Sequence, residues 1–138
     1  MKKNVALAVV MLMVLLTSAS MFGQYGGRMN VSVPFSFVIE NTQFQAGDYV
    51  IEKIANGRLR IHTGDGSVSA SFLAIPTEGK QTSATSRFVF RRYGSEYFLA
   101  KIWTPGQNTG WEVMQGKAEQ EVAKRGNLRL EMATVIGR

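Results

Sequence analysis

His62 is the only imidazole in a chain of 138 residues that contains no cysteine. A histidine acting as a general base needs a nucleophile and an orienting partner within hydrogen-bond reach. Asp65 is near in sequence, but His62 ends a strand-like stretch and Asp65 sits in a turn between Gly64 and Gly66. The reading this favours for His62 is an exposed side chain at a strand end. Gly64-Asp65-Gly66 lacks further acids at calcium-loop spacing, so it reads as a plain turn. Glu40, Asp48, Glu52, Glu96 and Glu112 offer carboxylates for glycoside hydrolysis, which needs a pair flanking a cleft. Each falls in a turn or on a polar strand face. No nucleophile elbow, phosphate loop or metal-ligand spacing occurs. The absence of cysteine removes disulfides, zinc–thiolate sites, thiol nucleophiles and lipid attachment at a lipobox. No catalytic residue, metal or cofactor is assigned.

The richest segment is Arg87-Phe88-Val89-Phe90-Arg91-Arg92-Tyr93, followed by Tyr97 to Trp103 and by Trp111. Aromatics interleaved with arginine can stack sugar rings or bases, with cation–π support from the guanidinium. The aromatic spacing of an RNA-recognition motif is missing, so nucleic acid is not expected as a partner. The plainer reading is that Phe88, Phe90, Leu99 and Trp103 are simply core. Trp103 and Trp111 flank the loop Thr104–Gly110 and are the pair best placed to reach a surface. The candidate ligand-binding set is therefore Trp103, Trp111, Tyr97, Arg91 and Arg92.

The elements that must position these residues are strands. Val31, Val33, Phe35, Phe37 and Ile39 recur at every second position, the period of a half-buried strand. Pro34 within it has no N–H and places the strand at a sheet edge. Tyr49–Ile54, Arg58–His62 and Ser67–Ile75 follow as strands, with Asn56-Gly57 as a hairpin turn. Pro76–Ser86 is polar and aperiodic, the longest loop. Arg87–Tyr93 and Glu96–Trp103 form a hairpin about Gly94-Ser95, which sets Phe90 opposite Leu99 and Arg91 opposite Phe98. On that register Phe88, Phe90, Tyr97, Leu99 and Trp103 share one face. Trp111–Met114 is a short strand, Gln115–Arg125 has helical composition, and Gly126-Asn127 stops it. The chain closes on a strand from Asn127 to Ile136. About seven or eight strands with one late helix imply a mostly β domain, an antiparallel β-sandwich or small β-barrel. A membrane-spanning barrel does not fit, because strand lengths vary and several strands carry apolar side chains on the wrong alternation.

Ahead of this domain lie Met1-Lys2-Lys3-Asn4, an apolar run from Val5 to Leu16, and the small residues Thr17-Ser18-Ala19-Ser20. That order is a secretory signal peptide, and the run is too short to span a bilayer. Residues 1–23 are assigned to it, with cleavage between Ala19 and Gly23 and after Ala19 by preference. Residues 24–138 form a single β-rich domain with a short flexible start. Loss of Lys2 and Lys3 leaves 14 basic against 10 acidic side chains, a net +4 spread along the chain. Such a balance favours solubility and gives no polyanion groove. No transmembrane span remains in the mature chain.

Several stretches together carry a resemblance: Val33-Pro34-Phe35-Ser36-Phe37, Gln45-Ala46-Gly47-Asp48-Tyr49, Phe88 to Gly94, Tyr97 to Trp103, and the charged segment Ala118 to Lys124. The chain resembles a family of small exported bacterial proteins of unassigned function. The resemblance implies a shared β fold and no chemistry.

The functional expectation is an exported, periplasmic or extracellular, non-enzymatic β-domain that binds a ligand or an envelope partner. The second reading is a structural or assembly component that pairs through the edge strand Val31–Ile39. The third, weaker still, is a hydrolase using carboxylates such as Glu40 or Glu52. The sequence sets neither the ligand nor the oligomeric state.

Overall fold

A computed structural model describes residues 27–126 and 128–138; the expected signal peptide and the start at Gln24 lie outside the described residues. The described chain is mostly β. In order it runs β1 Arg28–Val33, β2 Phe37–Ile39, β3 Thr42–Phe44, β4 Gly47–Ala55, β5 Arg58–His62, β6 Ser69–Glu78, β7 Arg87–Tyr93, β8 Glu96–Trp103 and β9 Thr109–Val113. Helix α1, Lys117–Lys124, and strand β10, Leu130–Ile136, complete it. No helix among the described residues is long and apolar enough to cross a membrane.

All ten strands belong to one sheet, ordered β1-β4-β5-β6-β9-β8-β2-β3, with β7 on β8 and β10 on β7. The first half of β6 pairs with β5 (Arg58 opposite Leu73) and the second half with β9 (Ala74 opposite Val113). One strand thus carries the sheet around a bend, and the two halves enclose a single core. Pro76 sits in the half of β6 that has left β5, where a missing N–H faces no partner. The sheet does not close into a barrel. Nor is it wholly antiparallel, since β2 meets β8 in parallel at Val38 opposite Phe98.

The strand count exceeds the expected seven or eight for a local reason. The period-two run Val31–Ile39 does bury Val31, Val33, Phe37 and Ile39, yet it is not one strand. Pro34, Phe35 and Ser36 interrupt the ladder, so β1 stays at the sheet edge against β4 while β2 sits between β3 and β8. The expected edge strand Val31–Ile39 is therefore two strands in two places. Phe35, at the crossing, stacks on Tyr97 at 3.8 Å and meets Phe90 edge-on at 5.0 Å. The other added element, β3, returns on β2 through a turn in which Glu40 takes φ +56.

The aromatic hairpin has the expected register at its turn, with Phe90 opposite Leu99 and Arg91 opposite Phe98, and Gly94 at φ +63. Further along, Val89 faces Lys101, so Ala100 is an extra residue with no opposite number. This bulge inverts the alternation beyond it. Ile102, not Trp103, joins Phe88, Phe90 and Leu99 in the core, and Trp103 turns to the outer face. The expected shared face including Trp103 is corrected by that one residue.

Helix α1 begins two residues later than expected and packs Val122 and Ala118 onto Tyr93, Phe98 and Val38, on the outer face of the β7–β8–β2 layer. Gly116 at its N-cap has no side chain to offer. Asn41 supplies the cap instead, its Oδ1 accepting from the Ala118 N–H at 3.1 Å. A side chain at Gly116 would lie 2.5 Å from the Glu40 carbonyl oxygen, so only glycine lets the turn and the helix start meet.

Candidate functional site

The five sequence candidates do not converge on one surface. Tyr97 and Arg92 form one group: the Arg92 guanidinium lies 5.4 Å from the Tyr97 ring centre, and Tyr97 backs onto Phe35. Arg92 also donates from Nε to the Gly94 carbonyl at 2.7 Å and stands 3.8 Å from Glu131. Trp111 lies opposite Ile102 and packs half-buried against the core, with Lys53 Nζ at 5.5 Å from its ring centre. Because Ile102 and Trp103 are adjacent in one strand, they point to opposite faces. Trp103 therefore sits on the other side of the sheet from Trp111. Its indole covers Gly110 and Gly79, where a Cβ would come within 2.8 and 3.0 Å of the ring, closer than ordinary contact, and Arg87 stands 5.9 Å from its ring centre. The loop after β6 is pinned across this region by Gly79 N–H to Asn108 O and Gly106 N–H to Ser83 O. Trp103 is a brace for close backbone packing.

Arg91 is engaged within the fold. Its Nε and Nη2 donate to the two carboxylate oxygens of Glu119 at 2.5 and 3.2 Å, a two-pronged pair. Glu119 is 1% exposed, the most buried charged group described. The pair ties helix α1 to β7, and with Asn41 it anchors the first turn of the helix. Sequence reading missed Glu119. The available signal was Arg91 itself: an arginine on a face otherwise carrying Val89, Tyr93 and Phe98 must find a carboxylate, since a buried unpaired charge is expensive.

The carboxylates are also dispersed. Glu40 Oε1 accepts from the Leu73 N–H at 3.1 Å, and Asp48 accepts from Ser32 Oγ at 2.5 Å with Arg138 at 3.6 Å. Glu96 lies 4.0 Å from Arg125, and Glu112 is exposed on β9. Glu52 is the hub of a cross-strand cluster, in ion-pair contact with Arg60, 3.5 Å from Arg28 and 3.5 Å from His62 Nε2. The Arg60 hydrogen bond, aided by its charge and that of Arg28, holds the Glu52 carboxyl below the usual range. His62, half-buried, engages the Thr63 carbonyl through Nδ1 at 2.8 Å. Among the described residues its ring nitrogens meet the Thr63 carbonyl and Glu52, and no nucleophile is hydrogen-bonded to them. Among the described residues no three His, Asp or Glu side chains gather at metal-binding distance.

Asp65 has a purely local role. Its Oδ1 accepts from Thr63 Oγ1 at 2.7 Å, Ser67 Oγ at 2.8 Å and the Ser67 N–H at 3.0 Å. These donors hold its carboxyl down to about 2. The knot shapes the turn from Thr63 to Val68, which Thr63 N–H to Val68 O closes at 3.0 Å.

That turn forms one wall of an open cleft of about 480 Å³. The opposite wall is the β3–β4 corner from Gln43 to Tyr49, braced by the Tyr49 hydroxyl donating to the Gln45 carbonyl at 2.6 Å. The cleft is lined by the polar residues Gln43, Gln45, Asp48 and Thr63 together with the apolar Phe44, Tyr49 and Val68. Only Gln45–Tyr49 stood out in the sequence, as part of the resemblance. Thr63 and Val68 lie in a turn with no distinguishing pattern, brought there by the β4–β5–β6 pairing. A second cleft, about 260 Å³, lies between α1 and the β2–β3 turn, with Val38, Phe98 and Val122 among its apolar lining and Glu96, Glu121 and Arg125 as its charges. No family model, no curated protein and no solved structure matches the chain.

Two outcomes follow from these contacts. Glu119→Gln leaves the Arg91 charge partly buried without a counter-charge and lowers stability by about 3 kcal/mol in urea unfolding. Arg91→Met with Glu119→Leu returns most of that loss, whereas equal losses in the single and double variants would contradict the pairing. Asp65 has a lowered folded-state value, so its contribution is present above its ordinary 3.8 and is lost as pH falls through about 2. The Tm difference between the wild type and Asp65→Asn is therefore expected at pH 7 and absent near pH 2; a pH-independent difference would contradict the assignment.

Proposed function

We propose that the chain is an exported, non-enzymatic β-domain that binds a small polar ligand, and that the cleft between the Gln43–Tyr49 corner and the Thr63–Val68 turn is where it binds. The observation that carries this reading is the cleft itself. Its volume, about 480 Å³, falls in the range of small-molecule sites, and its polar groups are few and of mixed hydrogen-bonding type over an apolar base. Loops at one end of a rigid sheet are where binding groups are commonly mounted. The dispersal of the carboxylates, each tied to its own partner or left alone on a strand, supports binding over hydrolysis. The resemblance to small exported bacterial proteins is part of the same proposal, as is the removal of residues 1–23 during export.

Mass spectrometry of the protein isolated gently from an exported fraction tests it. The denaturing mass should correspond to a chain beginning at Ser20, or no later than Gln24. The native mass should exceed that of the bare chain, and Ala46→Trp, which fills the cleft from an exposed position, should weaken binding at least about tenfold, a difference of roughly 1.4 kcal/mol, and so lower the occupied fraction. A bare-chain native mass, or occupancy unchanged by Ala46→Trp, would overturn the reading.

A further inference from the structure

Among the described residues strand β10 forms a ladder with β7 alone, and β1 comes alongside its other edge where the Arg138 N–H meets Asn30. The direction of its backbone groups is fixed by its end: the Gly137 N–H donates to Ser86 O, toward β7, and the Arg138 N–H donates the other way, to Asn30 O of β1. In an antiparallel ladder neighbouring residues alternate in this respect. Leu130, Met132, Thr134 and Ile136 therefore direct their N–H and C=O groups to the open edge. The side chains of the same residues share the outer face. Leu130 is 51% exposed, Met132 57% and Ile136 54%.

Exposed sheet edges in folded proteins are ordinarily guarded by a charge, a proline or a bulge. This one has none of these along its outward residues. The register of β10 on β7 is unbroken, and the one charged residue of the strand, Glu131, is on the other face within 3.8 Å of Arg92.

We propose that this edge pairs with the β10 edge of a second copy of the chain, antiparallel about a two-fold axis at Ala133. The occupant follows from complementarity of the strand with itself. In that register Leu130 faces Ile136 of the partner subunit and Met132 faces Thr134 of the partner subunit. All seven residues of the strand are covered, and every pair that meets across the axis on the outer face has its backbone groups turned inward to exchange both hydrogen bonds. Shifting the axis by one residue to Met132 leaves Ile136 unpaired, and moving it to Thr134 sets Leu130 against Arg138. The charges agree as well. Glu131 meets Val135 of the partner subunit and keeps Arg92 of β7, 3.8 Å away, as its counter-charge, so no like charges within the strand face each other across the axis. The contact of Arg138 with β1 closes the far end of the edge and stops a partner strand there. The two sheets become one continuous sheet through the axis, an isologous contact. This inference rests on the edge alone and stands apart from the cleft.

A paired strand of this length lies at the small end of stable interfaces, so a dissociation constant on the order of 10 μM is expected. Sedimentation equilibrium of the exported chain from about 1 μM to about 1 mM reads it directly. The mass should double across that range, and Met132→Lys and Thr134→Pro should each remain monomeric at about 1 mM. Thr134→Pro removes an N–H that points to the open edge, so the ladder to β7 keeps its bonds. Hydrogen exchange on the unaltered chain gives a second test that needs no variant. The amides of Leu130, Met132, Thr134 and Ile136 should gain protection with concentration, while those of Glu131, Ala133 and Val135 should be protected throughout. A chain that stays monomeric at about 1 mM, a dimer that survives both substitutions, or exchange without that alternation would overturn the proposal.

Discussion

The fold depends on one side chain being surrounded from every direction. Phe37, 2% exposed, stacks on Phe44 at 5.3 Å and meets Tyr49 and Phe90 edge-on at 5.4 and 5.6 Å. Those partners come from β3, β4 and β7, which lie in both halves of the bent sheet. Without disulfides or a metal cluster among the described residues, burial of apolar area is what holds the halves together. The bend in β6 would otherwise leave two unsupported layers. Phe37 also explains why the chain leaves the sheet at Pro34: β2 must depart from β1 for its phenylalanine to reach the middle.

Helix α1 and the outer faces are consequences of that arrangement. Filling the inside with Phe88, Phe90, Leu99 and Ile102 sends Arg91, Tyr93 and Phe98 outward, where they would be a half-polar, half-apolar surface. The helix covers them with Val122 and Ala118 and neutralises Arg91 with Glu119. It does not reach β10, whose Leu130, Met132 and Ile136 stay open. The bend likewise gathers the β3–β4 corner and the β5–β6 turn at one end, where the Asp65 knot and the Tyr49–Gln45 bond hold the two walls of the cleft.

Much of this was legible in the residues. Period-two burial, the Gly94 turn and its register, the late helix and its stop at Gly126 (φ +69) all match. What was not legible has physical causes. A proline in a strand pattern signals an edge, yet here it marks a change of place in the sheet, which alternation alone cannot distinguish because the buried parity is kept. The bulge at Ala100 leaves no mark in composition, since alanine suits either face, and it moved Trp103 out of the core. Asn56-Gly57 closed its hairpin with Gly57 at φ +72 and a register shift between Lys53 and Ala55, which leaves Ile54 exposed. The site was the least legible part. Aromatics beside arginines look alike whether they bind or pack, and their division between two faces is decided by one extra residue. The cleft is built from short-range turn chemistry joined by long-range pairing, which no local pattern announces.

The central claim is that the two halves form one cooperative unit joined through the Phe37 cluster. Urea unfolding followed at once by tryptophan fluorescence and far-ultraviolet circular dichroism tests it, because Trp103 and Trp111 report on β8 and β9 while the dichroism reports on every strand. The account predicts coincident transitions, and for Phe37→Ala both should move together by about 3–5 kcal/mol. Separate transitions in the wild type, or a Phe37→Ala change that shifts the dichroism and leaves the fluorescence midpoint in place, would contradict it.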